Sequence, residues 1–358
     1  MQRLQVISPD NGGSKGNFGN GQVMRSVDKD STGASPRADW NYHPDLPITM
    51  SPVFDIPPKP KAALSWFANT WFKLTTPVYH LFCALIAYFF FWPSMTAMQV
   101  FEWRWVLQIL AINYSAVLIL AVPMHLYLYV FSAQKMRLKF DVRPMEKSTR
   151  FTFGYQTWDN VFWSLVSGVP IWSAWMIVYF YVAANGKVPV LNGVTDGPIG
   201  FVAFFLVLRF WQSFHFYWIH RLIHLPWLFK KVHHLHHRNV NVGPWSGLSM
   251  HPVEHFFYYS AIVIHFVLPS HPLHVIFHLF ALNLGALFTH SGFHKVLVKD
   301  KSVIKAGSFH HQLHHRYFEC NYGSEEIPLD RWFHSFHDGT KRATKLIRAR
   351  KKLIFARK

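Results

Sequence analysis

Phe214-His215-Phe216-Tyr217-Trp218-Ile219-His220-Arg221-Leu222-Ile223-His224 is where an apolar run gives way to paired histidines. The run before it, residues 199–219, is close to the roughly 20 residues that cross a bilayer core. On a helix, His220 and His224 share one face with Cβ atoms about 5–6 Å apart. A spanning helix that ends in two same-face imidazoles sets the reading of the rest of the chain.

Working outward, histidines recur in three further tight groups: His233-His234-Leu235-His236-His237, His290-Ser291-Gly292-Phe293-His294 and His310-His311-Gln312-Leu313-His314-His315. The i, i+3, i+4 rule selects His233, His236, His237, His290, His294, His311, His314 and His315, which with His220 and His224 makes ten imidazoles on faces able to converge. His234, His310 and His215 fall off those faces. His278 lies twelve residues before His290, about 18 Å along a helix, too far to join them. His80 and His125 stand alone in apolar runs and read as satisfied packing residues. His251 precedes Pro252 and is expected either to cap a helix or to orient a ligand. One structural zinc takes four ligands, so ten suit two metals with water. Imidazole alone does not choose among iron, zinc, copper and nickel.

Upstream, three more apolar segments cover roughly 77–98, 105–131 and 160–184, each near spanning length. The 132–150 connection carries Lys135, Arg137, Lys139, Arg143, Lys147 and Arg150, and so is expected on the cytoplasmic side. The 185–198 loop, with Lys187 and Asp196, is expected opposite. These assignments put His220 in the cytoplasm. Residues 256–289 are apolar again but broken at Leu268-Pro269-Ser270-His271-Pro272, which suggests a re-entrant hairpin returning His290 to the face where His224 emerged. The expected fold is all-α and integral to a membrane. It has four transmembrane helices, the hairpin and a cytoplasmic helical cap carrying the histidines.

Composition agrees. Only 15% of residues are charged while 51% are hydrophobic, below the charged quarter of ordinary soluble domains. The net charge of +18 sits in loops and tail with no nucleic-acid motif beside it, which favours a membrane face over nucleic acid. Two cysteines, Cys83 and Cys320, make neither a disulfide framework nor a cysteine zinc site. Four regions are expected. Residues 1–62, rich in Gly, Ser, Asn and Pro, form a disordered cytoplasmic arm. Residues 63–198 hold three spans and the basic loop, 199–340 form a domain that carries the histidine groups, and 341–358 form a basic amphipathic tail.

The spacings HxxxH, HxxHH, HxxxH and HxxHH, in this order between apolar blocks, resemble the fatty acid hydroxylase/sterol desaturase superfamily. The resemblance covers about 205–340. It extends to Met250-His251-Pro252-Val253-Glu254, to His314-His315-Arg316-Tyr317-Phe318-Glu319-Cys320-Asn321-Tyr322-Gly323, and to Leu329-Asp330-Arg331-Trp332-Phe333. The Asn-Tyr-Gly continuation is similar to the sterol C-5 desaturase branch, whereas His334-Ser335 departs from the Gly-Thr usual among relatives.

The resemblance implies a membrane oxidoreductase with a cytoplasm-facing di-iron centre on the ten histidines. It implies dioxygen as co-substrate and electrons from NAD(P)H through a reductase or b-type cytochrome. No His-Pro-Gly-Gly haem motif occurs, so that donor is expected to be a separate protein. The substrate is expected to be a membrane lipid, desaturated or hydroxylated: a sterol first, or a fatty acyl, sphingoid or carotenoid lipid. The membrane is expected to be endoplasmic reticulum in a eukaryote and the inner membrane in a bacterium. His251, Glu254 and Asn321 are expected to support the ligands, and Phe210, Trp211, Phe214 and Trp218 to line the substrate pocket. A metal transporter would need ionisable residues at mid-membrane depth, whereas these groups sit beyond the span ends. A scaffold without activity would have no need of four unbroken boxes.

Overall fold

The computed structural model describes residues 40–71 and 75–356, apart from the side chains of Asp196 and of residues 353–356. Helices dominate. The principal ones, in chain order, are α1 (Pro60–Trp71), α2 (Thr76–Phe91), α3 (Trp103–Val130), α4 (Gln156–Ala184), α5 (Pro198–Ile223), α6 (His234–His237), α7 (Pro252–Tyr259), α8 (Pro272–Thr289), α9 (Phe309–Tyr317) and α10 (Lys341–Ala356).

α3, α4, α5 and α8 are each long and apolar enough to cross a membrane. α1 and α2 form a further pair bent by 43°. The chain is thus a multi-pass membrane protein. The first expected segment, 77–98, coincides only with the second half of that bent pair, and its helix stops at Phe91, two residues before Pro93.

α8 is the central helix, with nearly every side chain buried. Its sequence is apolar all round, as a helix enclosed by others must be. Trp172 of α4 meets Phe280 edge-on at 5.4 Å, and Phe205 of α5 meets Phe277 at 5.1 Å. Tyr259 of α7 donates to Asn283 Oδ1 at 2.6 Å. The turn before α8 bonds to the 185–198 loop through Leu191 N–H and the Ser270 carbonyl, at 3.3 Å. At the other end, the basic 131–155 connection bonds to the chain just after α8: Phe140 N–H to Gly292 O and His294 N–H to Leu138 O, both 2.9 Å. The basic loop and the end of α8 bearing His290 therefore lie together.

Two expectations are corrected. The fold is not purely helical, since Lys295–Val298 (β1) pairs antiparallel with Lys301–Lys305 (β2). The hairpin turn is Lys299-Asp300, both at positive φ, between Val296-Leu297-Val298 and Val303-Ile304. Nor is the arm unstructured through residue 62. Trp40, Tyr42, Leu46 and Ile48 interrupt its polar sequence and dock on Phe140, Phe309 and Leu313. Ile48 N–H reaches Asp338 O at 2.9 Å and Ser51 N–H reaches Glu325 O at 2.8 Å. The remainder of the expected arm, 1–39, lies outside the described residues.

Candidate metal centre

Nine of the ten selected histidines come together, in two groups. His220, His224, His233, His237 and His314 form one, and His236, His290, His311 and His315 the other; within each group the ring nitrogens all lie within 4.8 Å of one another. α5 delivers His220 from its last turn and His224 just past its end. α6 supplies His236 and His237, with His233 just ahead of it. His290 follows directly on the end of α8, and α9 supplies the last three. His236 and His237, adjacent on α6, point to different groups, as do His314 and His315 on α9, so two short helices bridge both.

The Nε2 atoms face inward. His220 and His233 approach at 3.1 Å, His224 and His237 at 3.2 Å, and His314 and His237 at 3.0 Å. In the second group, His290 lies 3.1 Å from both His311 and His315 and 3.4 Å from His236. Several Nδ1 atoms face backbone carbonyls. His220 Nδ1 meets Tyr322 O at 2.6 Å, His314 meets Cys320 O at 2.6 Å, His290 meets Ala286 O at 2.9 Å and His236 meets Ser249 O at 3.3 Å. A carbonyl only accepts, so each of these Nδ1 atoms carries the proton and each Nε2 is left with a bare lone pair.

This tests the donor set. His236 and His290 have both tautomers fixed by carbonyls, yet their Nε2 lone pairs face each other at 3.4 Å. Two bare lone pairs repel unless a cation lies between them. Nitrogens about 2.0–2.1 Å from a shared ion and about 90° apart would be roughly 3 Å from one another. The residues present fit two imidazole-bound metal ions.

Burial keeps these side chains neutral and ready to bind. It holds His233, His237, His290, His311, His314 and His315 well below the usual imidazole range, with neighbouring histidines adding to the effect. Burial lowers His236 to about 4. Glu254, buried and pushed well up by that burial, places Oε1 2.7 Å from His233 Nδ1. It opens the first turn of α7, where a helix N-terminus favours a carboxylate.

His294 does not join either group. α8 ends at Thr289, and Gly292 takes a φ of +77° that turns the chain toward β1, so positions 290 and 294 share no helical face. A Cβ at 292 would lie 2.3 Å from Tyr129 Oη and 2.7 Å from Val242 O, so only glycine makes this turn. The His294 ring rests against Tyr42 and Phe140 instead, at 5.5 and 6.3 Å. His251 caps α7, its Nδ1 accepting from Val253 N–H at 3.2 Å. Asn321 acts at one remove: its side chain ties the His310 and His337 carbonyls together, each at 3.0 Å.

Asp330 is a site residue that helical phase does not single out. Buried, it accepts from Tyr322 N–H at 2.9 Å, Gly323 N–H at 2.7 Å and Ser335 Oγ at 2.6 Å. It thereby fixes the turn whose Cys320 and Tyr322 carbonyls hold His314 and His220. Its signal was the Asp-Arg-Trp run after Asn-Tyr-Gly.

A cavity of about 680 Å³ opens beside the groups, bounded by His220, His233, His236, His290, His311 and Glu254. Phe210, Trp211, Phe214 and Trp218 do not line it. They lie on other faces of α5, with Trp211 donating to Ala261 O at 2.8 Å and Phe210 edge-on to Phe54 at 5.7 Å. Arg209, Gln212, Ser213, Phe216, Ile219 and Ile223 form the α5 wall.

Residues 205–335 match the family described as fatty acid hydroxylase. Among curated proteins, the chain is 32% identical over 115 residues to Delta(7)-sterol 5(6)-desaturase ERG3B of Gibberella zeae, covering 30% of this chain and 33% of that protein. It is 28% identical over 235 residues to Delta(7)-sterol 5(6)-desaturase erg3C of Aspergillus fumigatus, covering 59% and 71%. It is 27% identical over 183 residues to Delta(7)-sterol 5(6)-desaturase ERG3 of Candida albicans, covering 48% and 44%. The chain spans about a third to seven tenths of the length of these relatives. No solved structure matches it. The resemblance drawn from the four histidine boxes is borne out, including its sterol C-5 desaturase branch.

Proposed function

We propose, taking as premise that residues 205–335 are a fatty acid hydroxylase family region, that this chain is a dioxygen-dependent membrane oxidoreductase acting on a lipid C–H bond. A sterol is the substrate we favour, because the similar curated proteins are sterol desaturases. The observation that carries the reading is the facing of His236 and His290, two buried imidazoles whose bare Nε2 atoms meet beside a lipid-sized cavity.

Two iron ions held by His220, His224, His233, His237 and His314 and by His236, His290, His311 and His315 would supply the oxidising power, drawn from dioxygen and two electrons, that an unactivated C–H bond demands. The electrons come from NAD(P)H through a separate cytochrome or reductase. In desaturation two hydrogens leave adjacent carbons, and with two electrons and two protons they reduce one dioxygen to two waters.

The protein's part is binding and placement. Carbonyls of Tyr322, Cys320, Ala286 and Ser249 hold the Nδ1 protons, so that Nε2 is left free to bind a metal. Such partners set ring orientation and basicity. Glu254 does the same for His233 when its carboxylate accepts from Nδ1–H. Phe216, Met250, Tyr258, Leu282 and Phe288 wall the cavity and keep water from the lipid. The basic 132–150 loop beside the site supports a cytoplasmic orientation, in the endoplasmic reticulum membrane of a eukaryotic cell.

Lipid profiles of cells with and without the chain test this reading. A lipid that gains a double bond or hydroxyl, and ceases to do so with His237→Ala, is the expected result. Unchanged profiles, or a product indifferent to His237→Ala, would overturn it.

A further inference from the structure

Polar groups along the cavity wall away from the histidines satisfy one another. Arg209 donates to Glu326 Oε1 at 2.6 Å and to Gln212 Oε1 at 3.1 Å, while Ser213 and Ser324 share a bond of 2.5 Å. His80 differs. It lines the same cavity at 1% exposure, and neither ring nitrogen has a hydrogen-bond partner among the described residues. It was expected to be a satisfied packing residue. A buried polar group left unpaired opposes folding, and one on a cavity wall can gain its partner from what the cavity holds.

We propose that His80 hydrogen-bonds a hydroxyl or oxo oxygen of the bound lipid, so that the cavity selects an oxygenated lipid over a hydrocarbon. The inference rests on the lipid-oxidising reading of this site. A neutral imidazole offers one donor and one acceptor, which matches a hydroxyl on both counts. The ring faces Gly285 of α8, where a Cβ would lie 3.4 Å from its Cε1. Gly285 precedes His290 by five residues, about 7.5 Å along the helix axis. The lipid oxygen is thus held about one and a half turns from the level of His290. The carbons presented to the histidines therefore belong to the oxygen-bearing half of a rigid ring lipid.

Binding, read without turnover, tests this in the full chain purified in detergent, with cholesterol and its 3-deoxy counterpart cholest-5-ene as probes. The unsubstituted chain is expected to bind cholesterol about tenfold more tightly, the worth of one net hydrogen bond. His80→Leu should bind both sterols equally, while His80→Gln keeps part of the preference. Because Leu removes an unpaired group, lipid-free His80→Leu should melt no lower than the unsubstituted chain. A preference that survives His80→Leu, or no preference in the unsubstituted chain, overturns this inference and leaves the lipid reading standing. Markedly lower melting of His80→Leu overturns it too, by making His80 structural. If the unsubstituted chain binds neither sterol, the sterol reading falls and this inference with it.

Discussion

Asp330 accepts the backbone N–H of Tyr322 at 2.9 Å, and the carbonyl of that same Tyr322 meets His220 Nδ1 at 2.6 Å. One buried carboxylate thus orients an imidazole it never touches. Asp330→Ala leaves two backbone N–H groups and a hydroxyl without their acceptor, and each bond to a charged group is worth about 1.5–3 kcal/mol. The variant is expected to lose about 3 kcal/mol or more in denaturant unfolding and to bind metal less tightly, whereas Asp330→Asn keeps one acceptor and loses less. Unaltered metal affinity in a folded Asp330→Ala would remove Asp330 from the site's support.

Gly247 stands against α8 with no room for a side chain: a Cβ there would lie 2.3 Å from the Ala286 carbonyl oxygen. That carbonyl also meets His290 Nδ1 at 2.9 Å. Gly247→Ala must push the backbone of α8 away, at about 1–3 kcal/mol. Both the melting temperature and the metal content of the second histidine group should drop, and an unchanged melting temperature would contradict this packing.

Glu254 is the one carboxylate among the described residues that meets a ring of either group. Glu254→Ala should weaken metal binding about 10- to 100-fold in competition with a chelator. Glu254→Gln, which still offers an oxygen to His233 Nδ1, should come closer to the unsubstituted chain. Equal affinities for all three would show that His233 needs no such partner.

The metal-free chain should be acid-labile for a calculable reason. Burial holds the imidazoles of His233, His237, His311, His314 and His315 well below the usual range, and that of His236 at about 4. Unfolded, these side chains titrate near 6.5. As pH falls through 6.5, the unfolded state takes up protons that the folded state refuses. Stability is therefore full above 6.5 and declines below it, by up to about 1.4 kcal/mol per pH unit for each such histidine. The midpoint of thermal unfolding should fall continuously from pH 7 to pH 5. A flat midpoint would mean these rings are not buried and neutral.

Much of the site was legible because it rests on helical phase. HxxxH and HxxHH on short helices fix which imidazoles align, and nine of ten came together accordingly. His294 failed because the helix stops at Thr289, and Gly292 between the two histidines was the visible warning. Phase also held the answer for the cavity wall. At about 100° per residue, Phe216 and Ile223 fall near the face of His220, while Trp211 and Trp218 fall nearly opposite. The tryptophans of that segment lie on the side away from the cavity. His80 was beyond such reasoning, because whether a buried histidine is paired depends on partners that only tertiary packing supplies. Average composition misleads over the arm before α1, because four apolar side chains in its last third are enough to dock it.

Metal content of the purified chain bears most directly on the two histidine groups. The account predicts about two iron ions per chain, retained in His294→Ala and reduced in His237→Ala. A single zinc, no metal, or loss of iron in a folded His294→Ala would contradict it.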